Sequence, residues 1–417
     1  MRPALSARRR RVATLAATAG ASAALALLAA CAQPSPPPGG PPDPLPPALV
    51  RIVPESGAVN ARPEEVLFRF DEVVAERPTG TPSTEGMVLI SPRDGAPEVN
   101  WRRTGIGVRP ARGWRENTTY VVELLPGIAD LRGNRRDSAA VTVFSTGGAI
   151  PTTRIEGVVF DWPRGIVAAG ALVQAIVRPD SARRDSVVYV TRADSSGRFA
   201  IRYVPAGAVT LRGVLDANRN LGLDPREAYD SLRFALADSA RVELYAFAHD
   251  TIGPRIGNLV VQDSVSLRVT LDQPLALDQP LAPALVRLFG ADSTPLAVAQ
   301  VLSSRAADSL GAAARDSAAA RDTTRPPPAD TARAAAADSA RAAQPALRRA
   351  VPVSELVIRP AAPLAAGARY RLVLVEARGL SGATETSDRQ FTTPAAAPPA
   401  DSAAARPDSA GARRPPR

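Results

Sequence analysis

The sequence predicts an all-β protein made of β-sandwiches that follow one another along the chain. The first observation is period-two alternation, clearest where Val66, Phe68 and Phe70 alternate with Arg69 and Asp71. The same alternation recurs over residues 199–203 and 265–271, and it is typical of strands with one buried face. The second observation is that Gly, Pro, Asn and Asp separate these short runs, which favours sandwiches over a mixed fold.

A weak internal repeat is the third observation. Each copy has an alternating strand that starts at a tyrosine, a glycine-containing turn, and a closing Phe-(Ser/Thr)-Thr strand. These features fall at Tyr120, 127–134 and 144–146 in the first copy, and at Tyr370, 379–382 and 391–393 in the second. A low-complexity insert separates the early and late strands of the second copy. Such an insert is tolerable because the entropy of closing a loop grows only logarithmically with its length.

The motifs of both copies resemble bacterial Ig-like domains of the S-layer and envelope type. That family shares a strand ending in Phe-(Asp/Ser)-Glu, here Phe70-Asp71-Glu72, and an Asp-x-x-Gly-Asn turn, here 130–134. The resemblance covers residues 47–148 and, less closely, residues 250–393, where the turn has become Leu380-Ser381-Gly382-Ala383. It implies two Ig-like sandwiches.

Residues 153–248, between the two copies, resemble a transthyretin-like or carboxypeptidase-regulatory-like β-sandwich. The matching segments are 155–159, 194–199 and 204–207. Gly197 suits a hairpin turn before the strand that contains Phe199. The resemblance implies a structural or binding module, not a catalytic one.

The N-terminus has the pattern of a secretion signal. Arg2 and Arg8–Arg11 precede an apolar stretch that ends in Leu28-Ala29-Ala30-Cys31, and this order is typical of a signal peptide. The ending resembles a bacterial lipobox. The resemblance implies that Cys31, the single cysteine of the chain, carries a diacylglycerol and an acylated amine. An ordinary signal peptide with an incidental cysteine is the alternative.

The expected destination is the cell envelope, anchored in a membrane by lipid. Each buried methylene of an acyl chain adds about 0.8 kcal/mol, so several chains give stable anchoring. Ala32 at the second mature position resembles lipoproteins sent on to an outer membrane. We therefore expect the membrane, reached through the anchor, to be one partner, and an envelope protein or glycan to be another.

Composition excludes several classes of site and partner. The chain has one cysteine and one histidine, too few for a disulfide framework or a Cys/His zinc site. Residues 1–30 hold five arginines and no acid, so their removal lowers the formal net charge from +10 to +5. The remaining arginines are interleaved with acids, and no arginine cluster alternates with exposed aromatics. We predict no nucleic-acid partner.

The low-complexity segments complete the predicted organisation. Rich in Ala, Asp, Ser, Arg and Pro, they hold too few large apolar residues to offset the entropy of ordering. The predicted parts are a lipoprotein signal peptide (1–30), a Pro-rich tether (31–46), an Ig-like domain (47–148), the transthyretin-like domain (153–248), a second Ig-like domain (250–393) with a disordered insert (303–350), and a disordered tail (394–417).

The loop 216–227 carries the one distinct candidate metal site. Counted from Asp216, oxygen side chains fall at positions one, three, five, nine and twelve, and Gly222 at position seven offers a carbonyl. This is the ligand order of a calcium loop, and similar loops occur in calcium-loaded sandwich repeats of bacterial surface proteins. Leu221 stands where an EF-hand has glycine. The predicted ligands are Asp216, Asn218, Asn220, Gly222, Asp224 and Glu227; a polar loop that caps its own backbone is the alternative.

The remaining candidates for chemistry are few. His249 stands next to Asp250, but no Gly-x-Ser-x-Gly elbow accompanies it. We interpret it as a strand-end histidine, with catalysis as the alternative. Trp101, Trp114 and Trp162 could stack on sugars, although core or edge packing is the simpler interpretation.

We therefore predict a lipid-anchored, non-catalytic structural or binding protein of the envelope, with no organic cofactor and at most calcium. A glycan- or peptidoglycan-binding protein is the first alternative. An accessory protein of an envelope hydrolase is the second.

Overall fold

A computed structural model describes residues 44–76, 85–178, 186–319 and 345–395 of the chain. These residues form three β-sandwiches and one α-helix. The predicted all-β class, with tandem sandwiches, is confirmed. No described helix combines the length and the apolar run that a membrane crossing requires.

The first sandwich packs a four-stranded sheet against a three-stranded one. A 3-10 turn, Glu85–Met87, precedes the third strand. The strands are β1 (Leu49–Val53), β2 (Val66–Phe70), β3 (Val88–Ser91), β4 (Glu98–Arg102), β5 (Gly105–Arg109), β6 (Thr119–Leu124) and β7 (Ala140–Ser145). The sheets have the orders β1-β2-β5-β4 and β3-β6-β7, both antiparallel. Phe68, Ile106, Tyr120 and Phe144 fill the space between them.

The second sandwich contains the one parallel strand pair of the described residues. Its strands are β8 (Arg154–Asp161), β9 (Ile166–Val167), β10 (Leu172–Val177), β11 (Val187–Arg192), β12 (Arg198–Arg202), β13 (Gly207–Val214), β14 (Tyr229–Leu236) and β15 (Ser239–Ala246). One sheet has the order β11-β10-β13-β14. In the other, β8 lies between antiparallel β12 and parallel β15, with β9 paired to β8.

The turn at Gly197 differs from the predicted hairpin. Gly197 has a φ of +72°, the left-handed region that favours glycine, and a Cβ there would lie 2.8 Å from the carbonyl oxygen of Val159. The strands on either side, β11 and β12, belong to different sheets. The turn therefore carries the chain from one layer to the other instead of pairing its neighbours.

The third sandwich packs two four-stranded sheets. Its strands are β16 (Ile256–Asp263), β17 (Ser266–Leu271), β18 (Val286–Gly290), β19 (Pro295–Leu296), β20 (Val298–Ser303), β21 (Glu355–Pro360), β22 (Arg369–Arg378) and β23 (Thr384–Thr392), with a 3-10 turn at Pro283–Leu285. The sheet orders are β16-β17-β21-β20 and β19-β18-β22-β23. Leu267, Val269 and Leu271 face the core as predicted. Val265 is 43% exposed and precedes β17, because the chain turns there.

Both ends of the predicted disordered insert, 303–350, are ordered. Helix α1 (Ser304–Ala319) follows β20 directly. Its start is tied to the sandwich, because Ser303 Oγ accepts the N–H of Ala306 and Arg268 forms an ion pair with Asp308 at 3.2 Å. At the other end, residues 345–350 pack on the second sandwich. Residues 320–344 and the tail beyond residue 395 lie outside the described residues.

The internal repeat has a structural counterpart in two matching corners. The hydroxyl of Tyr120 accepts the N–H of Arg115 at 2.7 Å, and that of Tyr370 accepts the N–H of Ala365 at 2.8 Å. Each tyrosine ring also stacks on the phenylalanine of the closing strand, at 5.8 Å in the first sandwich and 5.6 Å in the third. The same corner therefore closes both sandwiches.

Candidate functional site

The candidate site lies where the first and second sandwiches meet. Strands β3 and β11 are edge strands of their own sheets, and they face each other at this junction. The N–H of Val190 donates to Ser91 Oγ at 2.9 Å, and the N–H of Arg93 donates to the carbonyl of Val188 at 2.7 Å. Two edges that would otherwise expose backbone groups thus satisfy each other.

A small apolar cluster of its own seals this junction. Leu89 comes from β3, and Leu172, Val190 and Val214 come from the second sandwich; each is at most 5% exposed. Burial of such side chains stabilises an interface by about 1.5–3 kcal/mol per residue. The two sandwiches therefore share a packed boundary rather than a bare linker.

The loop 216–227 is part of the same junction. Leu221 has a φ of +60°, which is the left-handed conformation that the calcium-loop pattern asks of its sixth position. Its side chain packs against the junction cluster, which explains why a leucine stands there despite the conformation. Arg93 donates to the carbonyl of Asn220 at 3.0 Å. The loop is thereby held from the first sandwich as well.

The side chain of the first predicted ligand, Asp216, is fully buried and already has several hydrogen-bond partners. Its Oδ1 accepts the N–H of Asn220 at 3.0 Å, and its Oδ2 accepts the N–H of Leu221 at 3.1 Å. Arg192 lies 3.6 Å from Oδ2. Burial lowers the pKa of both Arg192 and Arg93, and the charge of Asp216 works against that lowering.

The other predicted ligands form a second set of contacts. Asp224 Oδ2 accepts from the side-chain amides of Asn218 and Asn220, at 2.6 and 3.0 Å. Glu227 accepts the backbone N–H groups of Ala217 and Asp224, both at 3.0 Å. The structure therefore brings the predicted residues into one loop. Within the part of the chain that it describes, no three acidic, His or Cys side chains converge as a metal cluster.

The donor set still suits calcium in its chemistry. Carboxylate, amide and carbonyl oxygens are the ligands that this hard cation takes. In the present arrangement hydrogen bonds engage side-chain oxygens of all five predicted side-chain ligands, namely Asp216, Asn218, Asn220, Asp224 and Glu227. Binding would require the amides of Asn218 and Asn220 to turn their oxygens, rather than their N–H groups, toward Asp224.

A groove of about 210 Å³ opens beside the junction. Its first wall is the outer face of β6 and β7, with Val121, Val141 and Val143, and its second wall is formed by residues 200–203 of the second sandwich. Glu123 stands among the valines, and burial raises the pKa of its carboxyl. Tyr203 lines the groove with a φ of +65°, a strained conformation for a bulky side chain.

A cluster of aromatic side chains lies where the second and third sandwiches meet. Phe160, Trp162 and Tyr245 form a buried cluster against which Leu347 and Leu380 pack. The indole N–H of Trp162 donates to the carbonyl of Ala350 at 2.9 Å, and the Arg349 guanidinium lies 4.5 Å from the centre of the Tyr245 ring. Arg348 adds an ion pair with Glu243 at 3.2 Å. We call residues 345–351 the strap.

The tryptophans pack against neighbouring side chains, and the exposed histidine stacks between two aromatic rings. Trp162 is 7% exposed beneath the strap. Trp114 makes edge-to-face contacts with Tyr120 and Phe144, at 4.8 and 5.1 Å, and Trp101 packs against the same core. His249 lies between the rings of Tyr229 and Phe247, at 3.9 and 4.1 Å, and its Nδ1 lies 3.1 Å from the carbonyl of Phe247.

The structure leaves one predicted site untouched and adds others that sequence reasoning missed. Cys31, the predicted lipidation site, lies outside the described residues. The junction, the groove and the strap were not predicted. The sequence signal for the groove was Glu123, a carboxylate that follows Val121 and Val122 in β6, and the signal for the strap was the pair of apolar residues Leu347 and Val351.

Comparison with known proteins assigns the first sandwich. Residues 43–146 match the family model described as bacterial Ig-like domain. This confirms the coarser part of the predicted resemblance, namely a bacterial Ig-like domain over residues 43–146. No curated protein sequence matches the chain. The lipoprotein and transthyretin-like resemblances stay predictions.

Solved structures with related arrangements include S-layer and adhesion proteins. The N-terminal part of the bacterial S-layer protein SbsC has 14% identity and a TM-score of 0.20, over 34% of this chain and 24% of that one. A longer SbsC structure, rSbsC(31-844), has 8% identity and a TM-score of 0.19, over 84% and 54%. A tetra-tandem repeat of a large adhesion protein has 12% identity and a TM-score of 0.16, over 79% and 70%. The chain thus spans about a quarter of the first of these structures, and scores this low carry no functional argument.

Proposed function

We propose that the protein is a lipid-anchored, non-catalytic scaffold of the cell envelope that presents a binding surface away from its membrane. The observation that carries the proposal is the docking of neighbouring sandwiches. Ser91, Arg93 and Leu89 fix the first sandwich on the second, and the strap with Leu380 fixes the third. Docked modules hold a surface in a set orientation, which flexible linkers do not.

Other features support the same proposal. An Ig-like module is a frequent unit of surface and envelope proteins, and the predicted lipobox and Pro-rich tether precede it in the chain. Attachment of the sandwiches to a membrane would depend on Cys31.

Lipidation is tested by labelling cells with an alkyne analogue of palmitate. The protein should carry the label and collect with the membrane fraction, whereas Cys31→Ala should lose the label and leave that fraction. Ala32→Ser is the matched control, because it changes the neighbouring residue and keeps the thiol. Equal labelling of the protein and of Cys31→Ala would overturn the anchor.

The proposal has a second part, in which the loop 216–227 binds calcium. Two observations favour it: Leu221 adopts the left-handed conformation of the sixth loop position, and Asp216 accepts the N–H groups of the fifth and sixth positions. Arg219 and Arg226 reduce the local negative charge, so the affinity expected is that of extracellular modules, roughly 10⁻⁴–10⁻³ M.

The glycan-binding alternative has less support. It needs aromatic faces that are open to a sugar ring. Trp114 and Trp162 contact neighbouring aromatic rings, and Trp101 packs against the core of the first sandwich. We therefore place the binding surface elsewhere, at the junction of the first two sandwiches.

A further inference from the structure

We propose that the groove between the first and second sandwiches binds a short peptide, with an ammonium group of the peptide against Glu123 and a carboxylate against Arg202. The site extends the proposed scaffold and does not depend on its lipid anchor. The two ideas therefore fail separately: an unlabelled protein would still bind the peptide.

The walls of the groove give the first part of the argument. Val121, Val141 and Val143 form one apolar side, and Val141 is 45% exposed although it is a large hydrophobic residue. Ala200 and Tyr203 line the opposite side from the second sandwich. Ligand sites are preferentially found between domains, where two surfaces make a concave space. A groove of about 210 Å³ can enclose part of a short peptide and is too small for a folded partner.

The charges give the second part. Glu123 is a half-buried carboxylate whose side chain has no hydrogen-bond or ion-pair partner among the described residues, and burial raises its pKa without a compensating cation. An unpaired buried charge costs stability. Arg202, at the rim, is likewise without an ion pair in the described part of the chain. One acid and one base that both line an apolar groove, and that have no ion-pair partner among the described residues, are complementary to a zwitterion with an apolar body.

The backbone at the rim is consistent with this role. Tyr203 keeps a φ of +65° while its N–H donates to the carbonyl of Thr153 at 3.0 Å. Strained conformations of bulky residues persist where the surroundings enforce them, and they are concentrated at ligand sites. The junction hydrogen bond between Val190 and Ser91 holds the two walls at a fixed spacing. The groove is therefore formed before any ligand arrives.

The test titrates the full chain in detergent with the free tripeptide Ala-Lys-Ala, followed by isothermal calorimetry. Glu123→Gln should weaken binding about tenfold, and Arg202→Gln by a smaller factor, since each removes one charge pair. The blocked peptide acetyl-Ala-norleucine-Ala-amide has neither an ammonium nor a carboxylate group. It should bind the parent chain no more tightly than Ala-Lys-Ala binds Glu123→Gln. Glu116→Gln and Arg233→Gln, exposed residues outside the groove, are the matched controls and should bind normally.

Two further readouts locate the site and exclude misfolding. A diazirine-bearing tripeptide should cross-link to β6, β7 or residues 200–203, as mapped by mass spectrometry. Glu123→Gln should melt at a higher temperature than the parent chain, because it removes an uncompensated buried charge, while it binds less. Absence of binding up to about 10 mM peptide, equal binding by Glu123→Gln, or cross-links elsewhere would each overturn the proposal.

Discussion

Ser91 and Val190 belong to different sandwiches, and the hydroxyl oxygen of Ser91 accepts the backbone N–H of Val190 at 2.9 Å. Both residues are buried, at 6% and 3% exposure. A buried N–H must find a partner, and this one finds it across a domain boundary. The contact therefore fixes the register of two edge strands as well as their distance.

The strap should loosen when its indole hydrogen bond is removed. Trp162→Phe keeps an aromatic ring in the cluster but leaves the carbonyl of Ala350 without its donor at 2.9 Å. We expect a loss of about 0.5–1.5 kcal/mol in the free energy of unfolding, with faster amide exchange in residues 347–351. Trp101→Phe, which removes an indole far from the strap, should leave that exchange unchanged. Unchanged exchange in Trp162→Phe would contradict the role given to the strap.

The two tyrosine corners should respond alike. Tyr120→Phe and Tyr370→Phe each remove the acceptor of a backbone N–H, and each should cost about 1–3 kcal/mol in chemical denaturation. Tyr229→Phe is the control, because the hydroxyl of Tyr229 has no hydrogen bond in the described part of the chain. If only one corner variant were destabilised, the two sandwiches would not be structural equivalents.

The turn that contains Asp130 should make stability depend on pH. Burial raises the pKa of this carboxyl, but the side chain of Asn134 and the N–H groups of Arg132 and Asn134 outweigh it, so the pKa lies below its ordinary 3.8. Because the folded pKa is depressed, the stabilisation is complete above the unfolded pKa of about 4 and is lost as pH falls through the folded value.

Asp130→Asn should therefore lower the melting temperature at neutral pH and have a smaller effect near pH 2–3. Asp137→Asn, an exposed neighbour, should melt like the parent chain at both pH values. An equal loss for Asp130→Asn at both pH values would show that the carboxylate charge contributes nothing to this turn.

Calcium should raise the melting temperature relative to a chelator. Asp216→Ala combined with Glu227→Ala should abolish that difference, since it removes the first and the last loop ligand. Asp194→Ala provides the control: its carboxylate also caps a turn of the second sandwich, through Ser196 and Arg198, and the calcium response should survive its loss. Identical melts of the parent chain with calcium and with chelator would exclude the metal site.

Alternation and turn residues were sufficient to predict the all-β class and the first sandwich. Val66, Phe68 and Phe70 face the core as their spacing requires, and Tyr120 and Tyr370 occupy equivalent corners. The turn at Gly197 shows where local pattern reaches its limit. A glycine specifies the left-handed conformation, but it does not tell whether the next strand pairs with the last one or crosses to the opposite sheet.

The groove between the first two sandwiches was less predictable, because local sequence pattern does not show which distant segments come together. Its walls come from β6, β7 and residues 200–203, which are distant in the chain and meet only after two sandwiches dock. Leu221 illustrates the difficulty. It departs from the calcium-loop pattern and so weakened the prediction of a calcium site, but its packing on the junction cluster could not be inferred from residue spacing. The order at both ends of the insert likewise depends on tertiary contacts, such as that between Arg268 and Asp308.

The most direct test of a fixed junction is the distance distribution between spin labels in the first and second sandwiches. Arg69→Cys and Arg233→Cys, both exposed, provide the labels in a Cys31→Ser background, and electron–electron double resonance gives the distribution. We predict one narrow distribution, broadened when Leu89→Arg places a charge in the junction cluster. A distribution that is already broad without Leu89→Arg would show that the two sandwiches move independently, and it would contradict the account.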